Sequence, residues 1–278
     1  MKKLTVGVSL LVASAIFSGP ALAQNQDDDY HPFLSDTFNL GLGIYYPQKD
    51  LKVSVDGSVE EVGFDFDEAL KLDENETTAN LTFRWRFGEK WSVSGQYWTI
   101  GSSGGAELEE DIEWGDVVFK EGTFARGGVD LDVARVFFGR SFYTRPGQEF
   151  GAGIGAHWME LGVNLEGQIL TSVGDSEFYR DSVSAGIPLP NIGAWYYYSW
   201  SPRWVFSARL DWLSASIGDY SGSMWNGNVG LNWQFSKHVG VGLYFQSFVL
   251  DVDVDKSDWH GDAKISQRGP LLSITANW

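Results

Sequence analysis

Apolar and polar residues alternate along this chain in segments of about ten residues. Segment 79–87 shows the pattern well, with apolar residues at its odd positions and polar residues at its even positions. The final segment repeats it, and Leu272, Ile274 and Trp278 fall on one face. Successive side chains of a strand point to opposite faces, so each segment predicts a strand with one apolar and one polar face.

Very short turns join these segments at one end, at Gly88–Lys90, Thr144–Gly147, Ser201–Arg203 and Ser236–His238. The connections at the other end are mostly longer and more acidic, at roughly 47–78, 101–128, 167–182, 218–221 and 251–262. Short turns on one side and longer loops on the other are typical of outer-membrane barrels, whose short turns face the periplasm.

Counting these connections predicts ten strands, at approximately 37–46, 79–87, 91–100, 129–142, 150–162, 187–200, 204–217, 223–235, 239–250 and 265–278. Eight or twelve strands are the alternatives. Segment 51–72 also alternates in part, so it either extends the first hairpin above the membrane or forms an extra pair. The prediction is an all-β, transmembrane, antiparallel up-and-down β-barrel.

The apolar face of each strand is expected to meet lipid, because a charge there at mid-membrane costs about 2–4 kcal/mol. Aromatic residues make up 15% of the chain although its mean hydropathy is only -0.18. A barrel uses such residues as girdles at the two membrane interfaces. A soluble β-sandwich also predicts alternation. It does not predict aromatic girdles, two classes of connection and an aromatic C-terminus together.

The N-terminus reads as an export signal. Lys2 and Lys3 precede an apolar stretch at 4–17, and Ala21-Leu-Ala23 supplies the small residues of a cleavage site. We therefore predict a signal peptide at 1–23, a periplasmic segment at 24–36 and an outer-membrane barrel at 37–278. An uncleaved N-terminal anchor is the alternative.

The composition of the chain excludes several kinds of site and partner. There is no cysteine, which excludes disulfides, thiolate metal sites and a cysteine nucleophile. The net charge is -17, and removal of Lys2 and Lys3 would bring it to -19. Such acidity disfavours nucleic acid as a partner, since phosphates would be repelled. The sequence implies no cofactor.

These features resemble the small outer-membrane barrel superfamily that includes the membrane domain of OmpA and OmpW-type proteins. The resemblance depends on the signal segment, the aromatic-turn-aromatic hairpins and the last strand, Leu271-Leu-Ser-Ile-Thr-Ala-Asn-Trp278. It also depends on an acidic segment, 65–76, before the aromatic-arginine strand 83–87. The resemblance implies outer-membrane lipid, lipopolysaccharide and the barrel-assembly machinery as partners. Leu272, Ile274 and Trp278 would form the assembly signal.

Alternation points six charged or titratable side chains into the lumen: Arg84, Arg86, Arg135, His157, Arg209 and Asp211. One interpretation is a positive constriction that selects anions. The other, which we favour, is a polar plug, because narrow barrels are filled by side chains. Inward aromatic residues would obstruct the lumen further, at Tyr45, Trp98, Phe137, Trp195 and Tyr197.

Two weaker hypotheses concern catalysis and metal binding. His157 lies among small residues, but no serine and acid can be matched to it. Asp258 and His260 are close in sequence, but a protease site there would need further acids and a water-binding arrangement that the sequence does not show. Alternating Asp251, Asp253 and Asp255 would suit Ca²⁺, yet they lack a recognised calcium-loop spacing.

The function predicted from sequence is therefore an integral outer-membrane protein with a structural or surface-interaction role and at most a narrow pore. It is not expected to be an enzyme. The alternatives are a passive channel for small solutes, anions among them, and a membrane-embedded lipid or peptide hydrolase.

Overall fold

The computed structural model describes residues 29–56, 77–109, 111–114, 117–170, 176–217, 220–255 and 260–278. These residues form one 3-10 turn, Pro32–Leu34, and thirteen β-strands. The strands are β1 (Phe38–Tyr45), β2 (Gln48–Asp56), β3 (Thr78–Phe87), β4 (Trp91–Glu107), β5 (Ile112–Trp114), β6 (Val117–Phe119), β7 (Phe124–Arg145), β8 (Gln148–Leu170), β9 (Ser176–Ser201), β10 (Trp204–Ile217), β11 (Tyr220–Gln234), β12 (Val239–Asp255) and β13 (His260–Asn277). Among the described residues, no helix is long and apolar enough to cross a membrane.

Ten strand positions close into an antiparallel barrel, as predicted. The hydrogen-bonded order is β1-β3-β4-β7-β8-β9-β10-β11-β12-β13, and β13 pairs back to β1. β1 and β2 lie end to end along β13. β1 pairs with the second half of β13, and β2 pairs with its first half. Residues 51–56 thus extend the first strand and form no extra barrel strand. The rest of the ambiguous segment, 57–76, lies outside the described residues.

Tryptophan pairs mark the two edges of the membrane band. Trp204 on β10 faces Trp233 on β11, and Trp212 faces Trp225 on the same two strands. Their ring centroids lie 6.3 and 6.0 Å apart, and all four side chains are exposed on the outer wall. The stretch from Trp204 to Trp212 agrees with the roughly 9–11 residues that a tilted strand needs to span a bilayer.

The strands run much further on the extracellular side than the sequence predicted. β7, β8 and β9 contain 22, 23 and 26 residues. Much of what was predicted as long loop at 101–128, 167–182 and 251–262 is therefore strand, and that prediction was wrong in extent. The short connection predicted at 218–221 is confirmed, since β10 ends at Ile217 and β11 begins at Tyr220.

The polarity of the two faces reverses where the wall leaves the membrane. On β7 the outer face is apolar at Val136 and Phe138, and it carries Asp132 and Asp130 higher up. The inner face changes from polar to apolar, because buried Arg135 is followed higher up by buried Val133 and Leu131. The extension thus resembles a water-soluble barrel, because its outer wall meets water and its apolar residues pack inside.

Candidate functional site in the barrel lumen

The described N-terminal segment, 29–36, lies in the periplasmic mouth of the barrel. His31 is fully buried there. Its backbone N–H donates to Ser199 Oγ at 2.8 Å, and its ring Nε2 lies 3.1 Å from Asn232 Oδ1. Its Nδ1 accepts from the backbone N–H of Phe33 at 3.0 Å and caps the 3-10 turn. We call residues His31–Asp36 the plug.

These contacts set the protonation state of His31. Nδ1 must accept from a backbone N–H, so the proton of the neutral ring is on Nε2, where it meets an amide oxygen. Burial lowers the pKa of His31 to about 4, the hydrogen bond to Asn232 opposes this shift, and the nearby Arg84 charge adds to it. Burial raises the pKa of Asp36 at the end of the plug. The docked plug therefore contains a neutral imidazole at neutral pH.

Two lumenal arginines hold the plug in place. The Arg84 guanidinium donates to the Phe33 carbonyl and lies 4.1 Å from the centroid of the Phe33 ring. Arg86 donates to the Leu34 carbonyl. The Phe33 ring also packs edge-on against Tyr197 at 4.9 Å. The predicted lumenal position of both arginines is observed, and their partners include the chain's own N-terminal segment.

Next to the plug, the Glu149 carboxylate accepts hydrogen bonds from side chains of three strands. It accepts from Arg86 at 2.6 Å, from Ser141 at 2.9 Å and from the Trp195 indole at 3.0 Å. The Trp195 ring fits only because glycines stand opposite it, since an added Cβ at Gly139 would lie 2.5 Å from the ring. Glu149 and its three donors fill this level of the lumen, and both carboxylate oxygens are hydrogen-bonded.

A second ion pair crosses the lumen near the extracellular edge of the membrane band. Arg135 binds Asp211 in a bidentate manner, with Nε–Oδ2 and Nη2–Oδ1 distances of 2.6 and 2.9 Å. Both side chains are at most 1% exposed. Arg209 approaches the same carboxylate, with its Nε 3.7 Å from Oδ2, and donates to Gln96. The inward pair predicted at Arg209 and Asp211 is thus part of a three-residue cluster.

His157 is buried beside this three-residue cluster. Its Nδ1 lies 3.1 Å from Asn191 Oδ1 and its Nε2 lies 2.9 Å from Asn226 Nδ2. The Asp211 carboxylate is 4.0 Å away. Both ring nitrogens have amide partners and the ring is fully buried, so the surroundings hold this histidine in one orientation.

Above the ion pair an apolar core fills the extension. Trp98 and Phe248 are fully buried and pack edge to face at 5.7 Å. Tyr45, Val133 and Met224 are also fully buried beside them. Further members come from at least six strands and include Ile100, Leu131, Met159, Leu250, Ile265 and Leu271. The lumen is therefore obstructed at the plug, the ion pair and the apolar core.

The candidate metal residues do not form a site among the described side chains. Asp251 lies on the outer wall with its carboxylate 3.7 Å from the Lys264 ammonium. Asp253 and Asp255 belong to β12, and their side chains lie outside the described part, as do residues 256–259. No group of three or more His, Asp or Glu suited to a metal occurs in the part that the structure describes.

The end of the chain closes the barrel. Trp278 and Phe38 exchange two backbone hydrogen bonds, of 2.8 and 3.0 Å, and their rings stack at 5.8 Å on the lipid-facing wall. Leu272 and Ile274 are exposed on the same face, at the positions that pair with β1. The three residues thus form one apolar row along the seam between the first and last strands.

Comparison with solved structures places the fold among small outer-membrane barrels. The outer-membrane protease OmpT of Escherichia coli matches with a TM-score of 0.55 at 10% identity, over 90% of this chain and 98% of that one. OprG of Pseudomonas aeruginosa matches at 10% identity over 87% and 95% of the two chains, with a TM-score of 0.37. A deletion mutant of TodX, a hydrocarbon channel, also matches at 10% identity over 89% and 92%, with a TM-score of 0.40.

Of these three matches, only the OmpT match supports a shared architecture. At 10% identity it shows similarity of fold and gives no information about chemistry. No family model matches the chain, and no curated protein matches it. The predicted resemblance to small outer-membrane barrels is confirmed. These neighbours support an integral outer-membrane barrel as the setting for any function.

Sequence reasoning missed two residues that organise the lumen, His31 and Glu149. His31 belongs to a segment that was assigned to the periplasm and carries no strand pattern. Glu149 lies between the predicted turn, which ends at Gly147, and the predicted strand, which begins at 150, so the sequence analysis assigns it to no strand face. Its inward position was available from alternation, since it is two residues before the inward-facing Gly151.

Proposed function

We propose that this protein is an integral outer-membrane barrel that acts through its extracellular surface and does not serve as an open channel. The observation that supports this most strongly is the obstruction of the lumen at three successive levels. An aqueous pore needs a continuous polar path, and the apolar core interrupts any such path above the ion pair. A narrow barrel filled by its own side chains is the expected state at this strand number.

The extracellular extension supports the surface role. Its outer wall is polar, and Asp132 faces Glu160 directly across β7 and β8. This carboxylate pair lies just above Trp158 of the girdle, where lipopolysaccharide phosphates begin. Like charges directly opposite one another are destabilising unless a cation lies between them. The proposed partner is lipopolysaccharide, bridged to this wall by divalent cations.

A test of the partner measures how much lipopolysaccharide stays bound to the purified barrel in Ca²⁺ and in EDTA. We expect Ca²⁺-dependent retention that falls several-fold in Asp132→Asn/Glu160→Gln. Asp251→Asn is the matched control, because Asp251 has Lys264 as its partner on the same outer wall. Equal retention by all three proteins would contradict the proposal.

A test of the closed lumen measures the swelling of liposomes in small neutral and anionic solutes. The reconstituted barrel should leave the swelling rate at the level of empty liposomes, whereas a sixteen-stranded porin with an aqueous channel should raise it strongly. Swelling at a porin-like rate would favour the passive channel.

The hydrolase alternative gains no support from His157. That ring is fully buried, and both nitrogens are engaged by asparagine amides. A general base must reach the proton it removes from a bound substrate. The protease activity in the name of OmpT therefore remains a property of that protein.

A further inference from the structure

A cavity of about 110 Å³ lies in the lumen between the plug and the Arg135–Asp211 pair. The plug residue Phe33 forms part of its wall on the periplasmic side. The remaining lining comes from eight barrel strands and is rich in hydroxyl, amide and guanidinium groups. It includes Asn39, Arg84, Ser207, Arg209 and Thr275.

Two of the lining arginines have donors without a protein acceptor. Arg84 is 6% exposed, and its Nε and Nη1 make no hydrogen bond to any described residue. The same holds for Arg209 Nε, although Asp211 is 3.7 Å away. The Asn39 amide, also buried at this cavity, has no partner for either of its polar atoms. Buried donors of this kind are normally satisfied, so several of them around one cavity indicate a bound species.

The charges of this part of the lumen do not balance. Four arginines, at positions 84, 86, 135 and 209, face three carboxylates among the described residues, because the carboxylate of the plug residue Asp36 also lies near Arg86 and Arg84. Glu149 is bound by Arg86, and Asp211 is bound in a bidentate manner by Arg135. Arg84 makes no direct ion pair with any described carboxylate, and Arg209 shares the Asp211 carboxylate, which Arg135 already binds. Buried charge that is not paired is costly, and a counter-ion would remove that cost.

We propose that this cavity binds a small inorganic oxyanion, of the phosphate or sulfate type, between Arg84 and Arg209. Guanidinium groups present several planar donors that match the oxygens of such anions. One water occupies about 10–15 Å³ of volume measured in this way, so the cavity has room for a tetrahedral oxyanion together with several waters. Ser207 and Thr275 also line the cavity, and their hydroxyl groups add possible donors.

The plug controls access to this site. Arg84 holds the Phe33 carbonyl with one nitrogen and faces the cavity with the others, so plug and anion share one side chain. The anion is therefore expected to exchange slowly while the plug is docked. Binding must be measured after long equilibration.

The experiment is equilibrium dialysis of the refolded full-length mature protein in detergent against radiolabelled phosphate, in a sodium gluconate buffer. We expect saturable binding of one phosphate per barrel, displaced by sulfate and not by equal chloride. Arg84→Met and Arg209→Met should each weaken binding at least tenfold. Arg140→Met is the matched control and should leave binding unchanged, because Arg140 lies on the outer wall over Trp91.

A steric variant keeps the test decisive if an arginine variant fails to fold. Ser207→Leu preserves every charge and fills the cavity, so it should abolish binding, with folding checked by the shift of the unheated band in gel electrophoresis. Three results would overturn the proposal: non-saturable uptake by the unmodified barrel, a dissociation constant that stays within twofold in both Ser207→Leu and a folded arginine variant, or equal displacement by chloride.

Discussion

The Arg84 guanidinium stacks 4.1 Å from the Phe33 ring and donates to the carbonyl of the same residue. One barrel arginine therefore holds both the side chain and the backbone of the plug. Cation–π contacts strengthen when the cation is desolvated, and this one is buried. We expect Phe33→Ala to release the plug. In a variant with a single cysteine at Leu34, thiol labelling should become at least tenfold faster once Phe33 is changed.

Since the natural chain has no cysteine, the introduced thiol is the only one that can be labelled. Leu81→Ala is the control for loss of apolar surface, because that side chain is exposed on the outer wall. Equal labelling rates with and without the Phe33 ring would show that the plug is not held by this contact.

Docking of the plug should depend on pH through His31. Its pKa is about 4 when docked against an ordinary 6.5, so the released state binds the extra proton more readily. The neutral ring stabilises docking fully above pH 6.5, and this stabilisation is lost progressively as the pH falls towards 4. The total is of the order of 3 kcal/mol, at about 1.4 kcal/mol per pKa unit. Histidine NMR should report the low pKa directly.

Other charges around the plug have to be separated from that effect. Arg84 and Arg86 face it from β3, Lys237 and His238 from the turn before β12, and Asp36 belongs to the plug itself. His31→Asn keeps a side-chain acceptor for the Phe33 N–H and removes the titration. Plug labelling in that variant should become nearly independent of pH between 6.5 and 4; an unchanged pH profile would assign the effect to another group.

The Arg135–Asp211 pair should contribute strongly to stability because both partners are buried. Removal of one partner from a buried pair typically costs about 3–5 kcal/mol. Asp211→Asn leaves two arginines facing each other without their carboxylate, so we expect a loss in that range from urea unfolding in lipid vesicles. The control is Asp251→Asn, whose exposed pair with Lys264 should be worth at most about 1 kcal/mol. Losses of similar size in the two variants would be inconsistent with the described burial.

Much of this arrangement could be predicted from the sequence. The ten strands followed from counting the short turns and the longer connections, and the inward position of Arg84, Arg135, His157 and Asp211 followed from alternation with a period of two. A charge cannot face lipid at low cost, so the register is strongly constrained there. The partners of those side chains did not follow, because strands that are distant in sequence, such as β7 and β10, meet only across the closed lumen.

The extracellular extension was harder to predict for a different reason. Val133 and Asp132 continue the alternation of β7, and the polar face becomes the outer one above the membrane. A rule that assigns apolar residues to lipid does not recognise this reversal, so the continuation of β7 above it, at 124–128, is predicted as loop. The reversal of polarity along one uninterrupted strand is itself a signal, and it marks where a wall passes from lipid into water.

Trp278 is predicted to matter for assembly beyond its contribution to stability. It stacks on Phe38 at the seam, where the last strand must find the first. We expect Trp278→Ala to reduce the folded, heat-modifiable fraction in the outer membrane several-fold. Trp233→Ala removes an equally lipid-facing ring away from the seam and should assemble normally. Equal assembly of the two variants would count against a terminal assembly signal.

The most direct test of the closed lumen is planar-bilayer conductance of the full-length mature barrel. The plug, the ion pair and the apolar core predict no steady conductance, even in Phe33→Ala, because Trp98 and Phe248 still close the extension. A steady, reproducible conductance in the unmodified protein, altered by substitution of Arg84 or Arg209, would contradict the account and favour a passive channel.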